Sequence, residues 1–495
     1  MEIRDWGLET GDWLTARVGR SPQVLALVWE GRRWSYGALA REVEVYAANL
    51  AWAGVEAGQH VAVLLPNGPP YVFLVHALAR LGAVLVPLNR RLTTAELRWQ
   101  VAQADSTLLL YGDETAAEAE ALAEVCATRH VAELARATEA TAPAHPFSLE
   151  ATQAIVFTSG TTGRPKGAML SFGNHFWSAT ASALRLGVQA EDRWLSALPL
   201  YHVGGLAVLF RSCLYGTAVI LHEGFDLAAF NESLDSDGVT MTSLVPTMLY
   251  RLLPERESWP DSLRLVLVGG AATTPELAMQ CAEAGAPIAT TYGLTEASSQ
   301  VATALPHDVS RKPGSAGKPL MFTAVRILDE EGDTLPAGEP GEIAVRGPTV
   351  MRGYYGDPEA TAEALLDGEL RTGDIGHIDE DGDLWLLQRR SDVIISGGEN
   401  VYPAEVESVL REHDAVAAAC VVGTPHAEWG QQVAAMVAVE PGHDLTEAEL
   451  MRFCRRRLAG YKVPRRVQFV EALPLTASGK VARATVVEVM REIGD

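Results

Sequence analysis

Hydrophobic positions in the first hundred residues switch between helical spacing and the continuous runs of buried strands. A first helix is predicted by four apolar residues at helical spacing: Leu39, Val43, Tyr46 and Leu50. The preceding Ser35 is of a type that caps helix N-termini. The run VAVLL, residues 61–65, predicts a buried strand, and a second helix over about 69–81 leads to a strand over 83–89. This strand–helix–strand order predicts a parallel sheet covered by helices.

The pattern changes near residue 315, where short strands alternate with Gly/Asp turns. The stretches AVRILDEEGDTLPAGEPGEIAVRG, from Ala324, and GHIDEDGDLWLLQRR, from Gly376, predict an antiparallel sheet that is barrel-like. An Ala/Glu-rich segment over 114–139 predicts further helix.

The chain after about residue 390 has the pattern of a small α+β unit. It contains a predicted helix near 403–412, the strand runs AAACVVG and QVAAMVAVE, and a helix over 446–459. That last helix begins with the capping box of Thr446 and Glu449 and is expected to stop at Gly460. The predicted fold class is α/β. A large N-terminal domain (1–390) of helix-covered sheets plus a β-barrel-like part precedes a small α+β C-terminal domain (391–495).

Composition narrows the classes of partner. The 40 Lys and Arg against 63 Asp and Glu give a net charge of −23 over 495 residues, which argues against a nucleic-acid or anionic-membrane binder. The five cysteines are scattered without a CxxC pair, which favours free thiols in a reducing cytoplasm. No apolar signal segment opens the sequence and no apolar run reaches spanning length, so we expect a cytoplasmic protein without a membrane anchor.

The stretch TSGTTGRPKG, residues 158–167, follows an apolar strand and is dense in groups that bind phosphate. Glycine lets backbone N–H groups approach an anion, hydroxyls add donors, and lysine adds charge. The residues concerned are Thr158, Ser159, Gly160, Thr161, Thr162 and Lys166. An ordinary turn is the alternative, but the density of donors favours phosphate. The spacing is neither that of a P-loop nor that of a GxGxxG fingerprint, which indicates a nucleotide enzyme outside those groups.

Four further stretches suit nucleotide chemistry, although each has an ordinary alternative. In TTYGLTE, Thr295 and Glu296 follow a Gly turn, and the Glu is either solvated surface or a ligand for Mg²⁺. In RTGDIG, Asp374 in a predicted tight turn either caps that turn or accepts two ribose hydroxyls. The small residues of VGGAATTPE leave room for a flat base near Gly270. Lys480 lies in the Gly/Ser loop of PLTASGKVAR, where a single lysine normally serves solubility.

Together and in this order, the stretches resemble the adenylate-forming acyl-CoA synthetase superfamily over essentially the whole chain. The matching stretches are TSGTTGRPKG, LPLYHVGG, TYGLTE, RTGD, QRRSDVIISGGENVYPAEVE and PLTASGKV. The resemblance implies that a carboxylate attacks the α-phosphorus of ATP to form an acyl-adenylate, after which the thiol of CoA forms the thioester. It also implies a mobile C-terminal domain, whose rotation brings SGGEN, residues 396–400, to the active site.

The resemblance also implies roles for individual residues. Lys480, Thr295 and Glu296 are the expected catalytic residues: Lys480 bridges the α-phosphate and the substrate carboxylate, Thr295 contacts the α-phosphate, and Glu296 holds Mg²⁺. The loop from Thr158 to Lys166 cradles the β- and γ-phosphates, with ATP, Mg²⁺ and CoA as cofactors or co-substrates.

The resemblance likewise implies which residues bind the nucleoside of ATP. Asp374 takes the ribose hydroxyls with help from Arg389, and the residues flanking adenine are Gly270, Ala271, Ala272 and Tyr292. The chain departs from the usual hinge motif, because it has Gln388 where many members have Gly and Ser391 where many have Asp or Lys. The residue that pivots is therefore left open.

Softer motifs resemble the o-succinylbenzoate–CoA ligases of menaquinone biosynthesis within that superfamily. They are GNHFWSATASALRLGV, LPLYHVGGLAVLFRSCLYG, TSLVPTMLYRLL and TYGLTEASSQVAT. That substrate has a second carboxylate, so its pocket needs a cation or strong donors. Arg211 interrupts an apolar run, and it either binds this carboxylate or snorkels or pairs with an acid. The expected substrate residues are His202, Arg211, Gly293 and Ser298, with Ser299 and Gln300 as further donors.

Three alternative functions remain open from the sequence. One is a medium-chain, aryl or fatty acid–CoA ligase of the same superfamily, and another is an adenylation enzyme that loads a carrier protein. The third is a nucleotide-binding relic without activity, against which the retention of Lys480, Glu296 and Asp374 argues. The expected partners are a small carboxylic acid and CoA, without nucleic acid, and homo-oligomerisation is undecided.

Overall fold

The computed structural model describes residues 12–136, 140–143, 145–158, 165–271, 273–388, 393–440, 442–474 and 481–492. Its α-helices are α1 (Trp13–Val18), α2 (Tyr36–Trp52), α3 (Pro69–Leu81), α4 (Thr94–Gln103), α5 (Ala116–Leu122), α6 (Val131–Leu134), α7 (Phe172–Leu186), α8 (Val203–Tyr215), α9 (Leu227–Ser236), α10 (Pro246–Leu252), α11 (Pro275–Glu283), α12 (Pro306–Arg311), α13 (Pro358–Ala364), α14 (Pro403–Arg411), α15 (Glu447–Arg455) and α16 (Arg483–Glu492).

The strands form four sheets. They are β1 (Leu25–Trp29), β2 (Arg32–Ser35), β3 (His60–Leu64), β4 (Val84–Pro87), β5 (Leu108–Tyr111), β6 (Ala127–His130), β7 (Thr152–Thr158), β8 (Lys166–Ser171), β9 (Arg193–Ser196), β10 (Ala218–Leu221), β11 (Met241–Leu244), β12 (Leu265–Val268), β13 (Ile288–Leu294), β14 (Ser299–Ala304), β15 (Lys318–Pro319), β16 (Ala324–Leu328), β17 (Gly341–Arg346), β18 (Leu365–Leu366), β19 (Glu369–Ile378), β20 (Leu384–Gln388), β21 (Ile394–Ser396), β22 (Glu399–Val401), β23 (Val416–His426), β24 (Gly430–Val439) and β25 (Arg466–Val470).

Two largely parallel sheets confirm the predicted helix-covered architecture of the N-terminal part. The larger has nine strands in the order β15-β14-β13-β12-β11-β9-β10-β1-β2, and the smaller has six in the order β6-β5-β3-β4-β7-β8. Strands β10, β11 and β12 are buried along their whole length, as expected where helices cover both faces. The carboxyl ends of β11, β12 and β13 therefore meet at one edge of the larger sheet, where ligands bind in open α/β folds.

The pattern-based prediction was accurate for the first helices and less so for the 114–139 segment. Helix α2 is capped by the Ser35 hydroxyl, and α3 has the predicted bounds. The expected helix over 114–139 is instead two short helices, α5 and α6, separated by strand β6. Strand β6 pairs with β5, and this sheet hydrogen bonding outweighs the helix propensity of the Ala/Glu composition.

The antiparallel part and the C-terminal unit are both present as sheets. Strands β16 to β20 form a five-stranded antiparallel sheet, and β21 to β25 form the sheet of the C-terminal unit. The capping box at Thr446 is confirmed, but α15 ends at Arg455 and not at Gly460. None of the described helices is both long and apolar enough to cross a membrane. The division at 390/391 stays a prediction, since residues 389–392 lie outside the described part.

Candidate active site

A cavity of about 410 Å³ lies at the carboxyl edge of the larger parallel sheet, between the N-terminal part and the C-terminal unit. Most of the described residues predicted for the site line it: Thr158, His202, Arg211, Gly270, Gly293, Thr295, Glu296 and Asp374. Segments far apart in sequence therefore converge on one space, as a nucleotide and acid site requires. The C-terminal unit closes the cavity with Gly397, Gly398, Glu399 and Asn400, the segment SGGEN that the resemblance assigned to the active site.

The strands β7 and β8 hold the two ends of the predicted phosphate loop. Thr158 ends β7, Lys166 begins β8, and the two residues are cross-strand partners. The Thr158 hydroxyl lies 3.3 Å from Glu296 Oε1, and the Tyr354 hydroxyl donates to the same oxygen at 2.9 Å. The Lys166 ammonium lies 5.3 Å from the Tyr354 ring centroid. The loop ends and the proposed metal ligand are therefore neighbours.

Glu296 lies in a single 3₁₀ turn, Thr295–Ala297, directly after β13. Gly293, predicted to be part of a turn, is within that strand, and a Cβ there would lie 1.6 Å from the Ser299 carbonyl oxygen. Only glycine therefore allows β14 to approach so closely. The two residues after the turn, Ser298 and Ser299, have φ values of +53° and +96°. This strained backbone turns Ser299 toward the cavity, which it lines.

Ser298, predicted as a substrate residue, has its hydroxyl engaged elsewhere. Ser298 is fully buried and its hydroxyl donates to the Thr349 carbonyl at 2.9 Å, while Ser178 donates to the Ser298 carbonyl at 2.7 Å. The side chain is part of the packing behind the cavity, whereas the adjacent Ser299 faces it.

Asp374 lies in β19 and not in the predicted tight turn. The register of β17 and β19 shifts at this point, and Gly373 has φ +72°, so the segment is a bulge within the strand. The Tyr292 hydroxyl donates to Asp374 Oδ2 at 2.7 Å. The Tyr292 ring is 2% exposed, so it orients the carboxylate from within the core, while Asp374 itself lines the cavity.

The cleft beside Asp374 is lined by small residues. Gly269 and Gly270 follow β12, Gly270 has φ +78°, and a Cβ on it would lie 3.2 Å from Val245 Cγ1. Ala271 is half-buried beside them. These small residues leave open space at the carboxyl end of β12, in the cavity that Asp374 also lines.

Arg211 on α8 is buried at the base of the cavity without an ionic partner among the described residues. Its Nη2 lies 3.4 Å from the Ser178 and Ser299 hydroxyls, and its Nε is buried without a hydrogen bond. The guanidinium carbon lies 5.9 Å from the Trp194 ring centroid. With 2% exposure the side chain does not snorkel, and no acidic residue of the described part pairs with it. Burial lowers the pKa of Arg211, yet a guanidinium stays charged.

The neighbourhood of Arg211 adds polar atoms to the base of the cavity. Gln300 and Ser243 both line it, and Gln300 Oε1 is buried without a partner. His175 lies behind, and burial, reinforced by the charge of Arg211, lowers its pKa to about 3. The base of the cavity is therefore positively charged and unsatisfied, which suits an anionic group of a ligand.

His202 precedes α8 and connects the cavity to the C-terminal unit. Its Nε2 lies 3.2 Å from Glu399 Oε2, and the Tyr201 hydroxyl donates to Glu399 Oε1 at 3.0 Å. Arg91 Nη1 also forms an ion pair with Glu399 Oε1 at 3.1 Å. Burial alone would raise the pKa of Glu399, but the contacts with His202, Arg91 and Tyr201 lower it to about 2. Glu399 is thus an anion that fixes the wall of the cavity.

Several predicted residues cannot be placed. Those outside the described part are Ser159, Gly160, Thr161, Thr162, Ala272, Arg389 and Lys480, together with the hinge candidate Ser391. Other lining residues were not singled out from sequence: Asn89, Arg91, Tyr201, Ser243, Tyr461 and Lys462. Tyr201 and Ser243 stood inside the quoted motifs LPLYHVGG and TSLVPTMLYRLL, but Asn89, Arg91, Tyr461 and Lys462 carried no local signal.

Comparison with known proteins agrees with this geometry. The model of the AMP-binding enzyme family matches residues 14–355, and that of the AMP-binding enzyme C-terminal domain matches residues 405–480. The chain is 41% identical over 484 residues to 2-succinylbenzoate–CoA ligase of Bacillus cereus strain Q1, covering 97% of this chain and 99% of the relative. The corresponding ligase of Geobacillus kaustophilus is 43% identical over 475 residues, covering 95% and 96%.

Solved structures of o-succinylbenzoate CoA synthetase from Bacillus subtilis are similar in fold. A double mutant bound with its product analogue OSB-NCoA gives a TM-score of 0.93 at 39% identity, covering 97% of this chain and 98% of that one. The complex with the acyl-adenylate intermediate gives 0.76 at the same identity, covering 96% and 98%. The amide bond synthetase McbA from Marinactinospora thermotolerans gives 0.89 at 33% identity, covering 97% and 100%. The chain belongs to the AMP-binding enzyme family.

Proposed function

We propose that the chain is an ATP-dependent, AMP-forming ligase that joins o-succinylbenzoate to CoA through an acyl-adenylate, a step of menaquinone biosynthesis. Relatives that are 41% and 43% identical over nearly their whole length carry the name of this activity. The single structural observation that favours this acid is Arg211, a buried cation at the base of the cavity without an ionic partner in the described part. A monocarboxylic acid would leave that charge uncompensated, whereas a second carboxylate satisfies it.

The first half-reaction requires ATP and the acid to be held with the α-phosphorus facing the carboxylate. Thr158 and Lys166 at the ends of the loop bind the outer phosphates, and Asp374 accepts the ribose hydroxyls. Thr295 next to the metal ligand contacts the α-phosphate. Lys480 is assigned to the attacking carboxylate by the resemblance alone. Because the protein has a net charge of −23, these local donors must supply the attraction for ATP.

Mg²⁺ fits the donor set around Glu296. The carboxylate is 8% exposed and has a hydroxyl at 3.3 Å, and such oxygen donors with nucleotide phosphates are what this ion prefers. When bound, Mg²⁺ neutralises charge on the transferring phosphates. The chain itself fixes the carboxylate, because the hydroxyl of Tyr354 holds one oxygen and the Met351 N–H binds the Glu296 carbonyl at 2.8 Å.

The second half-reaction requires the thiol of CoA to reach the adenylate. Gly397 and Gly398 in the cavity wall leave room for a thin thiol-bearing chain between the two units. A thiolate then attacks the acyl carbon, and AMP leaves with the electron pair of the broken C–O bond. The N-terminal domain 1–390, the C-terminal domain 391–495 and a cytoplasmic location, where ATP and CoA are supplied, belong to this proposal.

The first experiment measures AMP release with ATP, Mg²⁺ and CoA against o-succinylbenzoate, benzoate, octanoate and palmitate. A strong preference for o-succinylbenzoate supports the proposal. A preference for a monoacid would retain the ligase mechanism and reject the acid. Absence of turnover with ATP still bound would favour a carrier-protein substrate or a relic.

Arg211→Met tests whether this buried cation binds the second carboxylate, because methionine keeps much of the volume and removes the charge. Truncating one side of a buried charge pair costs about 2 kcal/mol or more, so we expect kcat/KM for o-succinylbenzoate to fall by roughly 30-fold or more. Activity on benzoate should change little, and Arg211→Lys should retain part of the preference.

A matched control for Arg211→Met is Arg185→Met. Arg185 lies on α7 outside the cavity and pairs with Asp308 at 2.8 Å. This variant should leave the ratio of the two substrates unchanged. An equal loss on o-succinylbenzoate and benzoate in Arg211→Met would show a folding effect and contradict the assignment.

A further inference from the structure

A buried lysine of the C-terminal unit is held between two carboxylates where the two units meet. Lys462 Nζ lies 2.7 Å from Glu96 Oε1 and 2.7 Å from Glu405 Oε1. The side chains of Lys462, Glu96 and Glu405 are 3%, 10% and 7% exposed. Glu96 belongs to α4 of the N-terminal part, whereas Glu405 belongs to α14 of the C-terminal unit. One ammonium therefore joins the two units.

The three charges depend strongly on one another. Taking charges out of water costs free energy that only close partners offset, so removing Lys462 would leave two buried carboxylates without a cation. Burial lowers the pKa of Lys462, but Glu405 and Glu96 outweigh this effect and raise it. Burial raises the pKa of Glu405, whose second oxygen is buried without a hydrogen bond. If Glu96 were separated from Lys462, the lysine would keep one carboxylate partner, Glu405 of the C-terminal unit.

Glu96 is rigidly positioned for this contact. Its other oxygen, Oε2, accepts hydrogen bonds from the Thr93 N–H and the Thr93 hydroxyl, both at 2.7 Å, in the capping box of α4. The Thr93 hydroxyl also lies 3.4 Å from the Arg457 carbonyl of the C-terminal unit. The cap of a helix in one unit is thus part of the surface on which the other unit sits.

The contact belongs to one arrangement of the two units. The chain matches the product-analogue complex of the Bacillus subtilis synthetase with a TM-score of 0.93, but the adenylate complex of the same synthetase with 0.76, at 39% identity in both. Lys462 and its neighbour Tyr461 also line the cavity beside the segment from Gly397 to Asn400. A rotation of the C-terminal unit carries Lys462 with it and leaves Glu96 in place, so we expect the contact only in this arrangement.

We propose that Lys462, held between Glu96 and Glu405, is a positioning residue that locks the two units in the arrangement used for thioester formation. The inference rests on the proposed two-step ligase reaction and adds a specific contact to it. The triad acts on the arrangement of the two units and takes no part in bond making or breaking. It stabilises the wall of the cavity during the second half-reaction, and it is dispensable for the first.

The test compares Glu96→Gln and Lys462→Met with a matched control, Glu449→Gln. Glutamine can keep the capping hydrogen bonds of Glu96 but turns an amide toward the ammonium. Glu449 occupies the same position in the capping box of α15, where its Oε2 accepts from the Thr446 N–H and hydroxyl at 3.0 and 2.7 Å, and it is exposed, with no lysine paired to it among the described residues. The two Glu→Gln variants therefore differ mainly in the contact between the units.

Two half-reactions are measured for each variant with o-succinylbenzoate. Adenylate formation, followed as ATP–pyrophosphate exchange, should be unchanged. Thioester formation from supplied acyl-adenylate and CoA in a single turnover should fall at least roughly tenfold in Glu96→Gln and further in Lys462→Met. Glu449→Gln should resemble the wild type in both. Equal losses in both half-reactions, or no loss in either, would overturn the proposal.

A second readout does not depend on turnover. Spin labels at the exposed positions Ala117→Cys and Glu447→Cys report the distance between the units, since all five native cysteines are buried. With CoA present, the population at the distance of the described arrangement should decrease in Glu96→Gln but not in Glu449→Gln. An unchanged distribution would refute the lock. If the wild type makes no thioester from any acid, the proposed function fails, while this distribution still decides whether the triad holds the units.

Discussion

Two buried histidines, His175 near Arg211 and His76 on α3, lie in environments that make the fold sensitive to acid. His175 packs against Phe210 with ring centroids 4.6 Å apart, and its Nε2 is buried without a hydrogen bond. Burial and the nearby charge of Arg211 lower its pKa to about 3. Burial, with the charge of Arg80, also lowers the pKa of His76 to about 4, although Asp12 opposes this. Both residues are therefore neutral in the folded chain.

The sign of the pH dependence follows from these values. As pH falls below about 6.5, the unfolded chain binds protons that folded His175 and His76 do not, so the unfolding free energy decreases. Each group contributes a slope of up to about 1.4 kcal/mol per pH unit, present between pH 6.5 and the folded pKa. His175→Gln should reduce the loss of stability between pH 7 and pH 5, measured as the shift in unfolding midpoint. The exposed His307→Gln, 68% accessible, should leave that shift unchanged; an equal effect of both would contradict the assignment.

Helix α8 carries Arg211 and begins directly after His202, and its first turn depends on a close approach of backbone. Gly204 and Gly205 are adjacent in this turn and differ in their surroundings. A Cβ on Gly204 would lie 3.6 Å from Leu198 Cδ1, an ordinary contact, whereas a Cβ on Gly205 would lie 2.3 Å from the Pro199 carbonyl oxygen. The helix can therefore pack on the 198–199 segment only with glycine at 205.

The pair offers the same substitution in two environments. Gly205→Ala should destabilise the fold by about 1–3 kcal/mol, because backbone has to move. Gly204→Ala should be neutral or stabilising by up to about 1 kcal/mol, since alanine has the higher helix propensity. Thermal unfolding midpoints of the two variants decide this. Equal midpoints would show that α8 tolerates a shift, and binding of the acid should then also tolerate Gly205→Ala.

Two turns predicted from the sequence lie within strands of the folded structure. Turn chemistry singled out Asp374 and Glu296, and both line the cavity, but Gly373 makes a bulge within β19 and Gly293 lies inside β13. Glycine permits either structure, and only the pairing partner of each strand decides between them. The charge of Arg211 within an apolar run was visible in the sequence, but its burial without an ionic partner in the described part depends on how α7, α8 and β14 pack.

At the scale of the whole molecule, local sequence patterns did not predict the contacts between the two units. Glu399 reaches His202 across 197 positions, and Lys462 reaches Glu96 across 366. Neither pair has a periodicity or a motif that links its members. The resemblance supplied the segment 396–400 as a candidate, whereas the triad of Lys462 exists only in the folded structure.

Lys480 and Lys462 together provide a test of whether two arrangements of the molecule serve two half-reactions. Lys480 is assigned to adenylate formation by the resemblance, while Lys462 is buried at the contact between the units in the described arrangement. Lys480→Ala should lower ATP–pyrophosphate exchange by roughly 100-fold or more, as expected for loss of a group that stabilises transition-state charge. It should leave thioester formation from supplied adenylate and CoA nearly intact, because that step uses the other arrangement.

The expected result is a reciprocal pattern: Lys480→Ala impairs only the first step and Lys462→Met only the second. Both rates are measured by rapid quench on the same preparations. Lys318→Ala, at a half-exposed lysine on the edge strand β15, serves as the control and should affect neither. If Lys480→Ala slowed both steps equally, one arrangement would have to serve both, and the lock assigned to Lys462 would lose its purpose. A reciprocal pattern requires the C-terminal unit to move between the steps, since two lysines of one small unit then act at the same cavity at different times.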